Sequence, residues 1–289
     1  LSIRNILVPV IQGIDPSAQL DAALQVARFA EVHISLIFIR PDVPVAAATD
    51  EPSISEMMIA SGVTVRGVED EGTPIEKVAL QKFETWRTEN NLALGFGDDT
   101  TLPRSASWHE RPGPVEKVVI EAGRLNDLII LNRASPLEPA TQRMFDAAVF
   151  GTGRPTLFVP DAVPAAMLHH VVVAWNGSLQ AVRAVAAAMP LLIAAETVSI
   201  FTTPSHAADI DCDLDLGEQL KWRGINARRI ASKVEDASAG TALLTLSGAA
   251  GATMLVMGAY THSRVRERLL GGVTRDVVNH ASVPVLMMH

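Results

Sequence analysis

The chain has 289 residues, 48% of them apolar, and a formal net charge of -8. This length holds one large α/β domain or two of ordinary size, and the acidic balance argues against nucleic acid or an anionic membrane as main partner. Cys212 is the only cysteine, which excludes an intrachain disulfide and a cysteine-based metal centre and fits a reducing cytoplasm.

The start, Leu1 to Asn5, lacks the charged-then-apolar layout of a secretion signal and runs into a strand at Asn5 to Val10. A helix follows with Leu20, Ala23, Leu24 and Ala27 on one face, and Ile34 to Ile39 is the next strand. Val43 to Gly72 forms an Ala-rich insertion with an amphipathic turn at Ile54 to Ile59. Trp108-His109-Glu110-Arg111, just before Pro112-Gly113-Pro114, reads as a strand-to-helix turn. Helix Val115 to Gly123 is expected to bury Val115, Val118, Val119 and Ala122. It leads to a strand at Asp127 to Leu131, a loop, a short helix and a strand at Arg154 to Val159.

After a linker from Pro160 to His169 the same order returns. His170 to Trp175 is a strand, Asn176-Gly177-Ser178 a turn with Ser178 as helix N-cap, and Ala181, Ala184, Val185 and Ala188 mark the next helix face. Strand Val198 to Thr202, helix Gly240 to Ala249, strand Thr253 to Met257, a longer loop, a short helix and strand Val283 to Met287 complete it. The strands are continuously apolar, as in parallel sheets covered on both faces. The longest apolar stretch, Ala184 to Ala195, contains Pro190 and falls short of the roughly 20 residues a membrane span needs. The expected fold is α/β: a tandem repeat of two doubly wound parallel five-stranded sheets, each a Rossmann-like α/β sandwich, at 1–160 and 168–289.

The second half carries a glycine loop between its strand at Met254 to Met257 and its last helix. Gly258-Ala259-Tyr260-Thr261-His262-Ser263-Arg264 is followed by Gly271-Gly272-Val273-Thr274. Amides of Gly272, Val273 and Thr274 at a helix start can point at phosphate oxygens. Ser263 and Thr274 add hydroxyls, and His262 and Arg264 positive character. This stretch resembles the nucleotide signature of the universal stress protein family: Gly, two residues, Gly, nine residues, Gly, then Ser or Thr. Gly258 and Gly271 hold the first and third glycine positions; Thr261 replaces the second, and Gly272 replaces the hydroxyl residue. The likeness covers the second half in element order and the first half more loosely. It implies adenosine contacts at Ala174, Trp175 and Asn176, the last where the family has Asp, and at Thr203. It also implies ATP, ADP or AMP as ligand, with Mg²⁺ entering alongside the nucleotide.

In the first half the loop after Leu131 lacks the leading glycine, Ile11 stands where the family has its acid, and Asp15 comes too late. That half is expected to be structural. Asp209, Asp211, Asp213 and Asp215 lack the glycine and glutamate of a calcium loop and read as a solvated loop entering a helix. His169-His170 has no further ligands at metal spacing, Arg264, Arg266, Arg268 and Arg275 form a solvated basic face, and no Gly-x-Ser-x-Gly elbow surrounds Ser178. The functional expectation is a cytoplasmic stress or signalling protein that binds an adenine nucleotide with little or no hydrolysis. The alternative is a scaffold of the same fold that acts through protein contacts. Thr156 to Val159 and Val285 to Met288 are expected to join the halves as an intrachain pseudo-dimer, in the way the family's strands form a dimer, with a further homodimer open.

Overall fold

The computed structural model describes residues 2–29, 31–40, 74–95, 104–133, 139–202, 212–231, 238–259 and 272–289. Strands β1 (Asn5–Ile11) and β2 (His33–Arg40) run parallel, joined by helix α1 (Ser17–Ala27). Helix α2 (Pro74–Glu89) and the two-residue β3 (Ala93–Leu94) precede β4 (Ser105–Pro112). Helix α3 (Val115–Gly123), β5 (Leu128–Asn132), helix α4 (Pro139–Asp146) with a π turn over Ala147–Gly151, and β6 (Thr156–Val159) complete the first half. The second half runs β7 (His170–Ala174), α5 (Leu179–Ala194), β8 (Thr197–Thr202), α6 (Cys212–Lys221) and β9 (Arg228–Ala231). It ends with α7 (Ala239–Ala249), β10 (Met254–Gly258), α8 (Val273–His280) and β11 (Val285–Met288).

The α/β class and the parallel order are as expected, but among the described residues the strands form one eleven-stranded sheet, β3-β4-β2-β1-β5-β6-β11-β10-β7-β8-β9. The extra strand is β3, against β4. Every pairing is parallel except β6 with β11, which is antiparallel. Both strands of that seam are apolar, and pairing them removes two exposed edges. Its register, Phe158 to Val285, Leu157 to Leu286 and Thr156 to Met287, is symmetric about the leucine pair. Residues of α1, α2, α5 and α6 share one core cluster, and residues of α3, α4, α7 and α8 share the other. Strand direction reverses across the seam while equivalent helices keep their face, so the halves are related by an approximate two-fold normal to the sheet.

Three local expectations change. Trp108, His109, Glu110 and Arg111 lie within β4, because Trp108 packs inward on Phe38 at 5.8 Å and Phe83 at 5.7 Å. In α3, Val118 and Ala122 are half-buried, and Gly123 joins Val115 and Val119 in full burial. Asp213 and Asp215 fall inside α6, whereas Asp209, Asp211 and the 43–72 insertion lie outside the described residues. His169 pairs with Glu196 at 2.8 Å, and His170 with Ser199 Oγ at 2.8 Å and Ala250 O at 3.0 Å. Among the described residues no helix is long and apolar enough to cross a membrane.

Candidate functional site

In the second half the carboxyl ends of β7, β8 and β10 are level: Ala174 pairs with both Met257 and Phe201, and Trp175 N donates to Phe201 O at 2.9 Å. The chain then turns through Asn176-Gly177-Ser178 into α5. Asn176 Oδ1 accepts from Ser178 N at 3.1 Å and from Ser178 Oγ at 2.7 Å. Ser178 Oγ accepts in turn from Ala181 N at 3.2 Å, the N-cap bond the sequence leads one to expect. The Asn176 carbonyl, expected to be available to a base or ribose, is therefore engaged by the turn. Its amide nitrogen is the part it can offer a ligand.

Gly258 ends β10, paired with Met288. A Cβ at this position would lie 2.6 Å from Ala181 N and 2.8 Å from Gln180 C, both backbone atoms of the first turn of α5. The glycine thus admits the protein's own helix, whose start rests on the strand end. Helix α8 ends just before β11 begins, so its first turn lies toward the same carboxyl edge. Gly272 is its N-cap, with φ -76° and ψ 152°, and no side chain caps it. Gly272 O accepts from Arg275 N at 3.0 Å and Asp276 N at 3.1 Å, which sets the helix off. Thr274 is buried and Val273 half-buried. Asp276, the acid in this turn, accepts from Ser238 Oγ of the α7 cap at 3.0 Å. The edge thus gathers Ala174, Trp175, Asn176, Gly258, Gly272, Val273 and Thr274. Thr203, Thr261, His262, Ser263, Arg264 and Gly271 lie outside the described residues. Among the described residues no group of three His, Cys, Asp or Glu is placed to hold a metal ion.

The first half occupies the same edge differently. Its strand pairing places Pro9 of β1 where Ala174 stands in β7, and proline has no N–H for β5. The β1–β5 ladder stops at Leu7, and buried Gln19 of α1 supplies the donor instead: Nε2 donates to Ile130 O at 3.1 Å and Pro9 O at 3.2 Å. Asp15 accepts from Ser17 N at 3.1 Å and Ser17 Oγ at 2.6 Å, the same turn that Asn176 makes with Ser178. By strand register Ile11 stands level with Asn176, while the turn itself is made by Asp15, four residues on. Residues 12 to 14 lengthen the loop without losing the turn. Lys82 of α2 covers it, with Nζ 2.6 Å from Asp15 Oδ2. Partial burial pushes the Asp15 carboxyl up, but Lys82 and the Ser17 donors outweigh it and hold the group below its ordinary value. At the end of β5, in the place of Gly258, stands Asn132, buried with its Oδ1 unpartnered.

Sequence reasoning passed over Asp15, although Asp15-Pro16-Ser17 and Asn176-Gly177-Ser178 share an acceptor two residues ahead of a serine. It also passed over Arg133, whose contacts cross between the halves.

Residues 167–289 match the model of the universal stress protein family. Over the whole chain the fold is similar to the crystal structure of a universal stress protein from Archaeoglobus fulgidus DSM 4304. The TM-score is 0.70 at 16% identity, covering 99% of this chain and 96% of that one. It is also similar to a functionally unknown protein from Pseudomonas aeruginosa PAO1, with a TM-score of 0.61 at 13% identity over 99% of this chain and 92% of the other. No curated protein sequence matches the chain.

Proposed function

We propose that residues 168–289 bind an adenine nucleotide such as ATP, in a stress-response or signalling role with little or no hydrolysis. In this reading residues 1–160 are a degenerate copy of the same domain. The observation that carries the reading is the glycine N-cap of α8 on the carboxyl edge of a domain that matches the family. Gly272 starts α8 with no side chain of its own in front of the positive end of the helix dipole, an arrangement that favours phosphate at a helix start. Val273 and Thr274 continue that turn, and Gly271, Ser263, His262 and Arg264 would add contacts to the phosphates. Ala174, Trp175, Asn176 and Thr203 would face the nucleoside, and Mg²⁺ would enter with the nucleotide.

Low turnover follows from the carboxylates. Between Gly258 and Thr274 the sequence offers only Glu267, and Asp276 is committed to Ser238. The scaffold reading draws on the occupied Asn176 Oδ1, since an acceptor spent on Ser178 is lost to a ligand.

Titration calorimetry with ATP on the wild type, Gly272→Glu and Gly248→Glu separates the two. The backbone at Gly272 accepts a side chain, and a carboxylate there opposes phosphate; affinity should fall by roughly a hundredfold or more. Gly248 lies on α7 at the opposite edge with open space around it, so the same charge there should leave affinity unchanged. A wild type that binds no ATP would favour the scaffold.

A further inference from the structure

Arg133 follows β5 in the first half, yet its guanidinium reaches the carboxyl end of α8 in the second. Nη1 donates to Val278 O at 3.5 Å and, more closely, to Ala281 O. The final turn of α8 is otherwise satisfied by Ala281 N on Val277 O at 2.8 Å and by His280 Nδ1 on Asp276 O at 2.9 Å. The helix leaves through Ala281 in an extended conformation, without the left-handed glycine that would return amides to the last carbonyls. Arg133 takes that role from the other half of the chain, with its positive charge at the negative end of the helix.

The anchorage is firm on both sides. Arg133 N donates to Val159 O of β6 at 2.8 Å, and β6 pairs across the seam with β11, the strand α8 leads into. Ala259, in the equivalent place of the second half, keeps the matching backbone bond to Met288 O at 2.8 Å but carries only a methyl group. The clamp therefore runs one way, from the first half to the second. Helix α8 is eight residues, about 12 Å, so a shift at its carboxyl end moves its amino end with it.

We infer that Arg133 is a positioning residue for the phosphate site: through it the first half sets the orientation of α8 and hence of the amides at Gly272 to Thr274. The inference rests on the nucleotide reading of that helix start. Full-length wild type, Arg133→Ala and Arg133→Lys should be compared by ATP calorimetry and by amide hydrogen exchange without nucleotide. Arg133→Ala should exchange faster in Val277 to Ala281 while β7 and β10 keep wild-type protection, and its ATP affinity should fall about tenfold. Arg133→Lys, with the charge but a single donor group, should fall between the two. Unchanged exchange in α8 would overturn the clamp whether or not ATP binds. Faster exchange with unchanged ATP affinity would overturn the coupling to the phosphate site. If Arg133→Ala is loosened throughout, the same two readouts on Arg133→Lys decide. A wild type that binds no ATP would overturn the nucleotide reading, visible as such because the exchange data stand apart from it.

Discussion

The two carboxyl edges are built on one frame and filled in opposite ways. In the second half Gly258 and Ala174 bring backbone against backbone, so that α5 sits directly on the strand ends. In the first half Pro9 interrupts the ladder, Asn132 takes the glycine's place, and side chains do the joining: Gln19 bridges β1 and β5, and Lys82 neutralises Asp15. An edge held together by its own donors and cations has little left to offer a ligand. The difference lies in where hydrogen-bonding capacity is spent, with the topology held constant.

Exchanging the residues at the strand ends tests this most severely. Gly258→Asn forces a side chain into the backbone of Gln180 and Ala181, and should cost about 3 kcal/mol with loss of any nucleotide binding. Asn132→Gly removes a buried unpartnered acceptor at the price of backbone freedom and should cost less than about 1 kcal/mol. Urea denaturation of both gives the answer, and equal losses would break the comparison.

A smaller effect is expected from the bridge. Gln19→Met keeps the volume and removes the donor shared by Pro9 O and Ile130 O; stability should drop by roughly 2 kcal/mol. Gln180→Met at the start of α5 should change it by less than about 0.5 kcal/mol, because Ala174 has no missing donor to replace. A similar cost at both positions would mean that Gln19 matters for packing alone.

The smallest effect concerns pH. His33 bonds Ser105 Oγ at 2.8 Å and Ser107 Oγ at 2.9 Å, with His109 on the far side of Ser107 at 3.0 Å. Burial, and then His109, hold its imidazole below the ordinary 6.5. The unfolded chain thus takes up this proton first, so the contribution of neutral His33 is complete above about pH 6.5 and is lost as pH falls toward the folded value. Urea midpoints at about pH 5 and about pH 8 should differ less in His33→Gln than in the wild type. ATP binding, assigned to the other half, should not follow the substitution.

Much of the frame was legible because its signals are local. The apolar runs of β1, β5, β7 and β10, the helix from Val115 to Gly123 and the Ser178 cap each follow from neighbours in sequence. The seam was legible too, since Thr156–Val159 and Val285–Met288 are apolar edges with nothing else to pair with. The charged end of β4 was hidden because His109, Glu110 and Arg111 resemble a turn, and only Trp108 faces the aromatic cluster. Gly258 was legible as the first glycine of the family spacing, and nothing in that spacing reveals that Ala181 lies behind. Asp15 stands four residues beyond the register position of Asn176, although its hydroxyl partner keeps the same separation. Arg133 had no local signal at all, since its acceptors lie about 145 residues away across the seam.

The antiparallel seam between β6 and β11 also changes what a single substitution means. Where two identical chains meet at such an edge, assembly weakens on dilution and every replacement appears at both sites. Here the second partner is tethered by the segment after β6, so the joined state does not depend on protein concentration. Each position is altered alone. One edge can lose its ligand chemistry, take on proline and close itself with lysine, while the other keeps its glycines, and the sheet between them stays whole.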